Sequence, residues 1–273
     1  MRDDLARTPS PGNPDQGSFD EAMKHTAHRP FDMPGRPWRL RQRWRDLLFA
    51  HWPIPSHKLQ PLLPDGLEAD TFDGSAWVGV VPFWMDLVQT RSVAAHSFGV
   101  PSAQTFNELN LRTYVRSRRT GKAGVFFFAL DCDSPLAVLG ARTLFHLPYF
   151  PAWMGRSQPG GPGSLTGYSS TRRFSRRPVR FGASYSPAGA VLTPSQPGSL
   201  EHFLTERYSL FTPAGNHLLV GDIHHQQWAL QPAEAEIFMN EQPAAHRILL
   251  PDQAPVLHFS RELFVTLWSL RPE

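Results

Sequence analysis

The sequence predicts one mainly β domain with a few short helices, and three observations lead there. The 27 prolines and 20 glycines are scattered through 273 residues, which interrupts long helices and suits short strands joined by turns. Apolar residues recur in short continuous runs or in alternation with polar ones, the patterns of buried and half-buried strands. Asp65-Gly66 and Asp73-Gly74 lie between apolar segments, and an Asp-Gly pair in that setting marks a tight turn. Hydrophobic residues make up 41% and aromatics 12%, including 8 Trp and 19 Phe, ample for the core of one large domain.

Taken in order, residues 1 to about 35 are polar, charged and Pro-rich. They predict a flexible tail, and the lack of an apolar stretch argues against a secretory signal. Order is expected to begin near Arg36-Pro37-Trp38. The aromatic run Trp44–His51 follows and is broken by Pro53-Ile54-Pro55. Ser56 is placed to cap a short helix through Leu63, its length limited by Pro61. Leu67–Phe72 and Ala76–Trp84 flank Asp73-Gly74 as a hairpin. Glu108–Arg116 alternates apolar and polar residues as a half-buried strand does, and Gly124–Leu130 is a continuous apolar run suited to a central strand.

The clearest helix has Ser134 as cap, Pro135 at its first position, Leu136–Phe145 as its apolar face and Pro148 as its stop. Beyond the Gly-rich stretch 155–167, strands are expected near 168–174, 179–186, 208–212 and 217–230. A second capped helix starts at Ser199, and Val256–Leu270 closes the chain as a strand. With no internal repeat and no independent set of elements on either side of the Gly-rich stretch, residues 36–273 read as a single domain.

Several function classes are disfavoured. The pI is about 9.3, yet the formal charge is only +3, and the densest cationic cluster, Arg172, Arg173, Arg176, Arg177 and Arg180, sits in a Ser/Gly/Pro-rich stretch. That reads as a solvated face, and no nucleic-acid-binding motif accompanies it. Cys132 is the single cysteine, so neither an intramolecular disulfide nor a cysteine metal cluster is expected. Asp131 and Asp133 flank it and raise its pKa, which argues against a nucleophile. No phosphate loop, dinucleotide fingerprint or His-Glu-x-x-His motif appears, so no cofactor and no metal are expected. No apolar run has the ~18–20 residues of a membrane span, and the cytoplasm is the expected compartment. No sequence feature sets an oligomeric state.

Leu48-Phe49-Ala50-His51-Trp52-Pro53, Asp70-Thr71-Phe72-Asp73-Gly74, Glu108–Val115 and Leu147-Pro148-Tyr149-Phe150 resemble motifs of the YqjF-like family, domain of unknown function 2071. Glu201–Tyr208, Ile223-His224-His225 and Leu257-His258-Phe259-Ser260 continue the resemblance in the same order. This family is in turn distantly similar to acetoacetate decarboxylase, which implies a β-barrel or cone around a buried, mostly apolar cavity. That enzyme's pattern is a strand glutamate, a helix arginine and then Pro-Lys-Lys, whose first lysine forms the Schiff base. Here Glu108 stands at the glutamate and Arg142 at the arginine; Pro148 follows six residues later, and Tyr149 and Phe150 occupy the two lysine positions.

That departure rules against imine chemistry, because only a primary amine condenses with a ketone in this way. Lys24 falls in the tail, Lys58 on a short surface helix and Lys122 in a turn. The resemblance still implies candidate ligand-binding residues, namely Glu108, Arg142, Tyr149, His225 and Trp228. Glu108 would be a buried carboxylate of raised pKa, Tyr149 a hydrogen-bond donor to a carbonyl, and Arg142 a clamp for a carboxylate. Arg142 has an alternative role, pairing with Glu108 or with backbone to brace helix against sheet. The function expected is binding of a small carbonyl or carboxylate metabolite in an interior pocket without Schiff-base decarboxylation. One alternative is an acid–base enzyme using Glu108 with Tyr149 or His225; another is a structural or interaction protein with a filled core.

Overall fold

The computed structural model describes residues 14–91, 97–99, 105–157 and 164–273. Its strands are β1 (Leu40–Pro55), β2 (Leu67–Ala69), β3 (Ser75–Arg91), β4 (Ser97–Gly99), β5 (Phe106–Ser117), β6 (Ala123–Cys132) and β7 (Tyr149–Arg156). They continue with β8 (Thr166–Arg172), β9 (Arg180–Pro187), β10 (Ser209–Ala214), β11 (His217–His224), β12 (Leu230–Asn240), β13 (Val256–Leu267) and β14 (Arg271–Pro272). Five short helices accompany them: α1 (Pro14–Ala22), α2 (Ser56–Leu59), α3 (Pro135–Phe145), α4 (Leu200–Thr205) and α5 (Gln242–Ala245).

The pairing closes on itself. A ring of nine strands runs β6-β7-β8-β9-β12-β13-β1-β3-β5 and returns to β6. A smaller ring shares the wall β13-β1-β3-β5-β6 and closes through β10 and β11. Because successive side chains point to opposite faces, this shared wall feeds two cores. Leu47, Phe49, Val81, Phe83 and Tyr114 face a first compartment, covered by Leu210, Ile223, Leu204 of α4 and Val138 and Phe145 of α3. Leu48, Ala50, Val78, Leu109 and Leu111 face a second, filled by Tyr168, Phe181 and Tyr185.

Local chemistry explains most boundaries. Ser134 caps α3 by accepting from the Ala137 N–H at 3.3 Å, and His146 ends the helix in the left-handed conformation (φ 48°), two residues before Pro148. Ser199 caps α4 in the same way through His202. Asp73 and Gly74 both adopt positive φ, but the turn closes only an isolated Phe72–Ser75 bridge, because β2 pairs with β5. β1 continues through Pro53 and Pro55: past His51 its pairing with β13 stops and only β3 remains alongside. Such an edge tolerates prolyl nitrogens. The span expected as one strand over 217–230 divides into β11 and β12, with His225–Ala229 between them.

The flexible tail expected over 1–35 is corrected for its described part; residues 1–13 lie outside the described residues. Residues 14–22 form α1, and Phe19 is fully buried, its ring edge-on to Phe264 at 5.0 Å. Arg41 pairs with Asp20 at 3.1 Å, and Arg29 donates to the Ile223 carbonyl at 2.7 Å. Three well-placed side chains, Phe19, Asp20 and Arg29, dock a segment whose average composition reads as unstructured. The arginine cluster also differs from a purely solvated face: Arg172 is buried against Asp131 at 2.8 Å, and Arg180 pairs with Glu241. Among the described residues no helix is long and apolar enough to cross a membrane.

Candidate functional site

Alternation along β5 puts Phe106, Glu108, Asn110, Arg112 and Tyr114 on the first-compartment face, while Leu109 and Leu111 face the second core. Glu108 lies opposite Phe83 on β3 and Cys132 on β6. Tyr149 reaches it from the other side. The left-handed exit of α3 at His146 redirects the chain, and β7 then joins β6 in parallel with Tyr149 opposite Leu130.

The two side chains meet. The Tyr149 hydroxyl donates to Glu108 Oε2 at 2.6 Å, and Asn110 Nδ2 donates to Oε1 at 3.3 Å. Glu108 is 3% exposed and, among the described residues, has no cationic partner. Burial pushes its carboxyl up to about 8, and the two hydrogen bonds offset this only in part. The group is therefore mostly a neutral acid at pH 7, able to give or take a proton near that pH. Burial, with Glu108 adjacent, holds the Tyr149 phenol well above its usual range, so it remains a donor. Cys132 also shifts upward through burial and the charge of Glu108, and stays an inert thiol.

Beside this pair lies a cleft of about 210 Å³ between α3 and the barrel, lined by Phe106, Ala137, Ala141, Phe145 and Tyr149. Leu136 and Leu144 form part of its lining and remain partly exposed. Glu108 is set behind Tyr149 rather than on the cleft wall.

Arg142 does not act as a clamp in this geometry. It is exposed, and its Nε donates to the Tyr149 carbonyl at 2.7 Å. That is the backbone brace, and it fixes the residue that carries the phenol. His225 is buried with both ring nitrogens against backbone, Nδ1 at 2.7 Å from the Gln226 carbonyl and Nε2 at 3.3 Å from that of Arg207. It stacks on Tyr208 at 4.7 Å, and burial lowers its pKa. His225 thus has no nitrogen to spare for a ligand. Trp228 stands between His225 and the compartment: its Nε1 donates to the Thr205 carbonyl, and its ring meets Phe49 edge-on at 4.9 Å. It supplies apolar wall.

The structure adds residues that motif comparison did not single out. Arg112 and Asn110 share the Glu108 face, and His51 Nε2 lies 2.6 Å from the Tyr114 hydroxyl. Their signal was the alternation itself, since every second residue from Phe106 faces the same interior. All three lysines lie elsewhere. Lys24 and Lys58 are exposed, and Lys122 pairs with Asp222.

The closed ring, the strand glutamate and the helix leading into β7 define a barrel of the acetoacetate-decarboxylase-like class. Solved structures agree on the fold. The chain is similar to the enduracididine biosynthesis enzyme MppR complexed with pyruvate (TM-score 0.57, 13% identity, 90% of this chain and 93% of that one). It is also similar to acetoacetate decarboxylase from Legionella pneumophila (TM-score 0.56, 12% identity, 90% and 93%). An acetoacetate decarboxylase-like enzyme from Sphingomonas wittichii RW1 is comparable (TM-score 0.55, 16% identity, 89% and 98%). The particular family follows from sequence. Residues 41–263 match the uncharacterized conserved proteins of domain of unknown function 2071, and the chain belongs to that family. Uncharacterized protein YqjF of Bacillus subtilis is 45% identical over 239 residues, covering 88% of this chain and 94% of that protein.

Proposed function

We propose that this protein binds a small carbonyl compound in the first compartment, with the neutral carboxyl of Glu108 donating to its oxygen and the phenol of Tyr149 turning from Glu108 to donate beside it. The observation that carries this reading is the buried Glu108–Tyr149 pair at 2.6 Å, with no cation to hold the carboxylate ionised. A neutral carboxyl has a proton to donate, and in a water-poor interior such a bond polarises a carbonyl strongly. The adjoining cleft supplies an approach on the Tyr149 side, and its volume suits a ligand below the ~300 Å³ of drug-sized sites. Imine formation is not part of the proposal, because Tyr149 and Phe150 stand where the amines would be and the three lysines point elsewhere.

A second reading is acid–base catalysis on the bound carbonyl compound. It is supported by the pKa of about 8 at Glu108, close to the value at which one group serves as both acid and base. One experiment addresses both. Small ketones and aldehydes are titrated by ligand-observed NMR in D2O, and exchange of their α-protons is followed in the same tubes. Binding should disappear in Glu108→Leu and weaken in Tyr149→Phe, whereas Glu108→Gln keeps a donor and should retain binding. Exchange catalysed by wild type and lost in Glu108→Gln marks the enzyme. Binding that survives Glu108→Leu unchanged refutes the site.

A further inference from the structure

Arg112 poses a question that the Glu108–Tyr149 pair does not answer. It is 7% exposed, four residues along β5 from Glu108 and on the same face. Among the described residues no carboxylate forms an ion pair with it. Its Nη2 makes two long contacts, 3.3 Å to the Tyr114 hydroxyl and 3.3 Å to the Leu204 carbonyl, and its Nε has no protein acceptor. The guanidinium lies 5.3 Å from the centre of the Phe49 ring, a contact that favours the cation without neutralising it. Burying a charge is costly unless it is paired, and the groups Arg112 touches, Tyr114, Phe49 and the Leu204 carbonyl, are neutral.

The surroundings share the deficit. Asn110 Oδ1, His51 Nδ1, Trp77 Nε1, His258 Nδ1 and Ser260 Oγ are also buried without a protein partner. Cross-strand register places His258 opposite Phe49 and Ser260 opposite Leu47. Both therefore face the first compartment, as do Asn110 and Trp77. Native interiors leave few polar groups unpaired; other unpartnered atoms are scattered at Arg29, Arg41, Ser195 and Asn240, but here they share one face with an unpaired cation, an arrangement that a polar ligand would satisfy. The cation sets its sign.

We infer that Arg112 anchors the carboxylate of a compact organic acid, an inference that rests on the carbonyl site and extends it. The acid's carbonyl end faces Glu108 and Tyr149, and its carboxylate meets the guanidinium, a planar donor set suited to that group. Asn110 lies between them with its amide oxygen free to accept from a hydroxyl or enol. The Cα atoms of Glu108 and Arg112 are ~13 Å apart along an extended strand, a span that two inward-leaning side chains and a short-chain oxo acid fill.

The test compares each acid with its neutral ester. Pyruvate, acetoacetate and levulinate, and their methyl esters, are titrated by ligand-observed NMR against the full-length wild type, Arg112→Gln and Arg112→Lys. Wild type should bind at least one acid roughly tenfold or more tighter than its ester, the scale of a charge-assisted pair. Arg112→Gln should bring the acid-to-ester affinity ratio close to one, and Arg112→Lys should keep part of the preference. Esters that bind as well as acids to wild type overturn the anchor, a result that needs no variant to fold. Retention of the full preference in Arg112→Gln overturns it too. In either case Glu108-dependent ester binding leaves the carbonyl site standing, whereas failure of every acid and ester to bind sinks both.

Discussion

Replacing Glu108 with glutamine is expected to raise stability, and to raise it more as the pH increases. In the native state the carboxyl holds its proton to about pH 8, whereas in the unfolded chain it ionises near 4.5. Between those values the unfolded state binds fewer protons. The contribution of Glu108 is therefore fully present below 4.5 and is lost as the pH rises through 8. At about 1.4 kcal/mol per pH unit the whole interval amounts to about 5 kcal/mol, an upper bound because an ionising buried carboxylate draws in water. Glutamine keeps the shape, still accepts from Tyr149 and does not titrate. Its new amide faces Asn110 Nδ2, but an Asn110 flip would turn the unpartnered Oδ1 toward it and restore the bond. Melting curves of both proteins from pH 5 to 9 should coincide near pH 5 and separate by on the order of 10 °C at pH 8, given ~2–4 °C per kcal/mol for a domain of this size. Parallel curves across that range would refute the raised pKa and with it the proton-donor role.

Three further outcomes follow from the same geometry. Incubation with acetoacetate and borohydride should leave the intact mass unchanged, and an adduct on any lysine would show imine chemistry from an unexpected quarter. Phe19→Ala should lower stability by about 3 kcal/mol, as for a buried aromatic truncated to alanine; an unchanged denaturation midpoint would mean that α1 is not docked. Cys132 should be silent to a disulfide reagent in the native protein and react fully in denaturant, because burial and the neighbouring carboxylates suppress its thiolate; rapid native labelling would contradict that.

The β class was readable from particular residues. The alternation over Glu108–Arg116 and the apolar run Gly124–Leu130 became β5 and β6, extended by one or two residues at each end. The caps at Ser134 and Ser199 formed because a serine ahead of a helix offers its oxygen to the same backbone N–H wherever it occurs. The Asp73-Gly74 turn was also correct, but turn chemistry sets only local geometry, and the partner of β2 is chosen by long-range packing. The meeting of Glu108 and Tyr149 follows the motif resemblance, which puts both in one interior. Arg142 takes its alternative role as a backbone brace, and the nitrogens of His225 face backbone carbonyls, because position in a motif does not report what a side chain bonds to. The N-terminal segment was missed because docking rests on a few contacts, such as Phe19 against Phe264, that an average over composition dilutes.

The wall common to both rings makes β5 a two-sided ledger in which neighbouring residues answer to different demands. Its odd positions Leu109 and Leu111 pack in the second core, and its even positions from 108 to 114 carry acid, amide, guanidinium and phenol. A one-residue slip of β5 against β3 would press four polar side chains into the packing of the second core and turn two leucines toward the first compartment. Register in this strand is therefore enforced from behind, by residues on the face opposite the polar row. The polar row is free to change while the opposite face holds the strand in place. Variation should concentrate on the even positions of β5, and a designer altering specificity can work on one face without rebuilding the other.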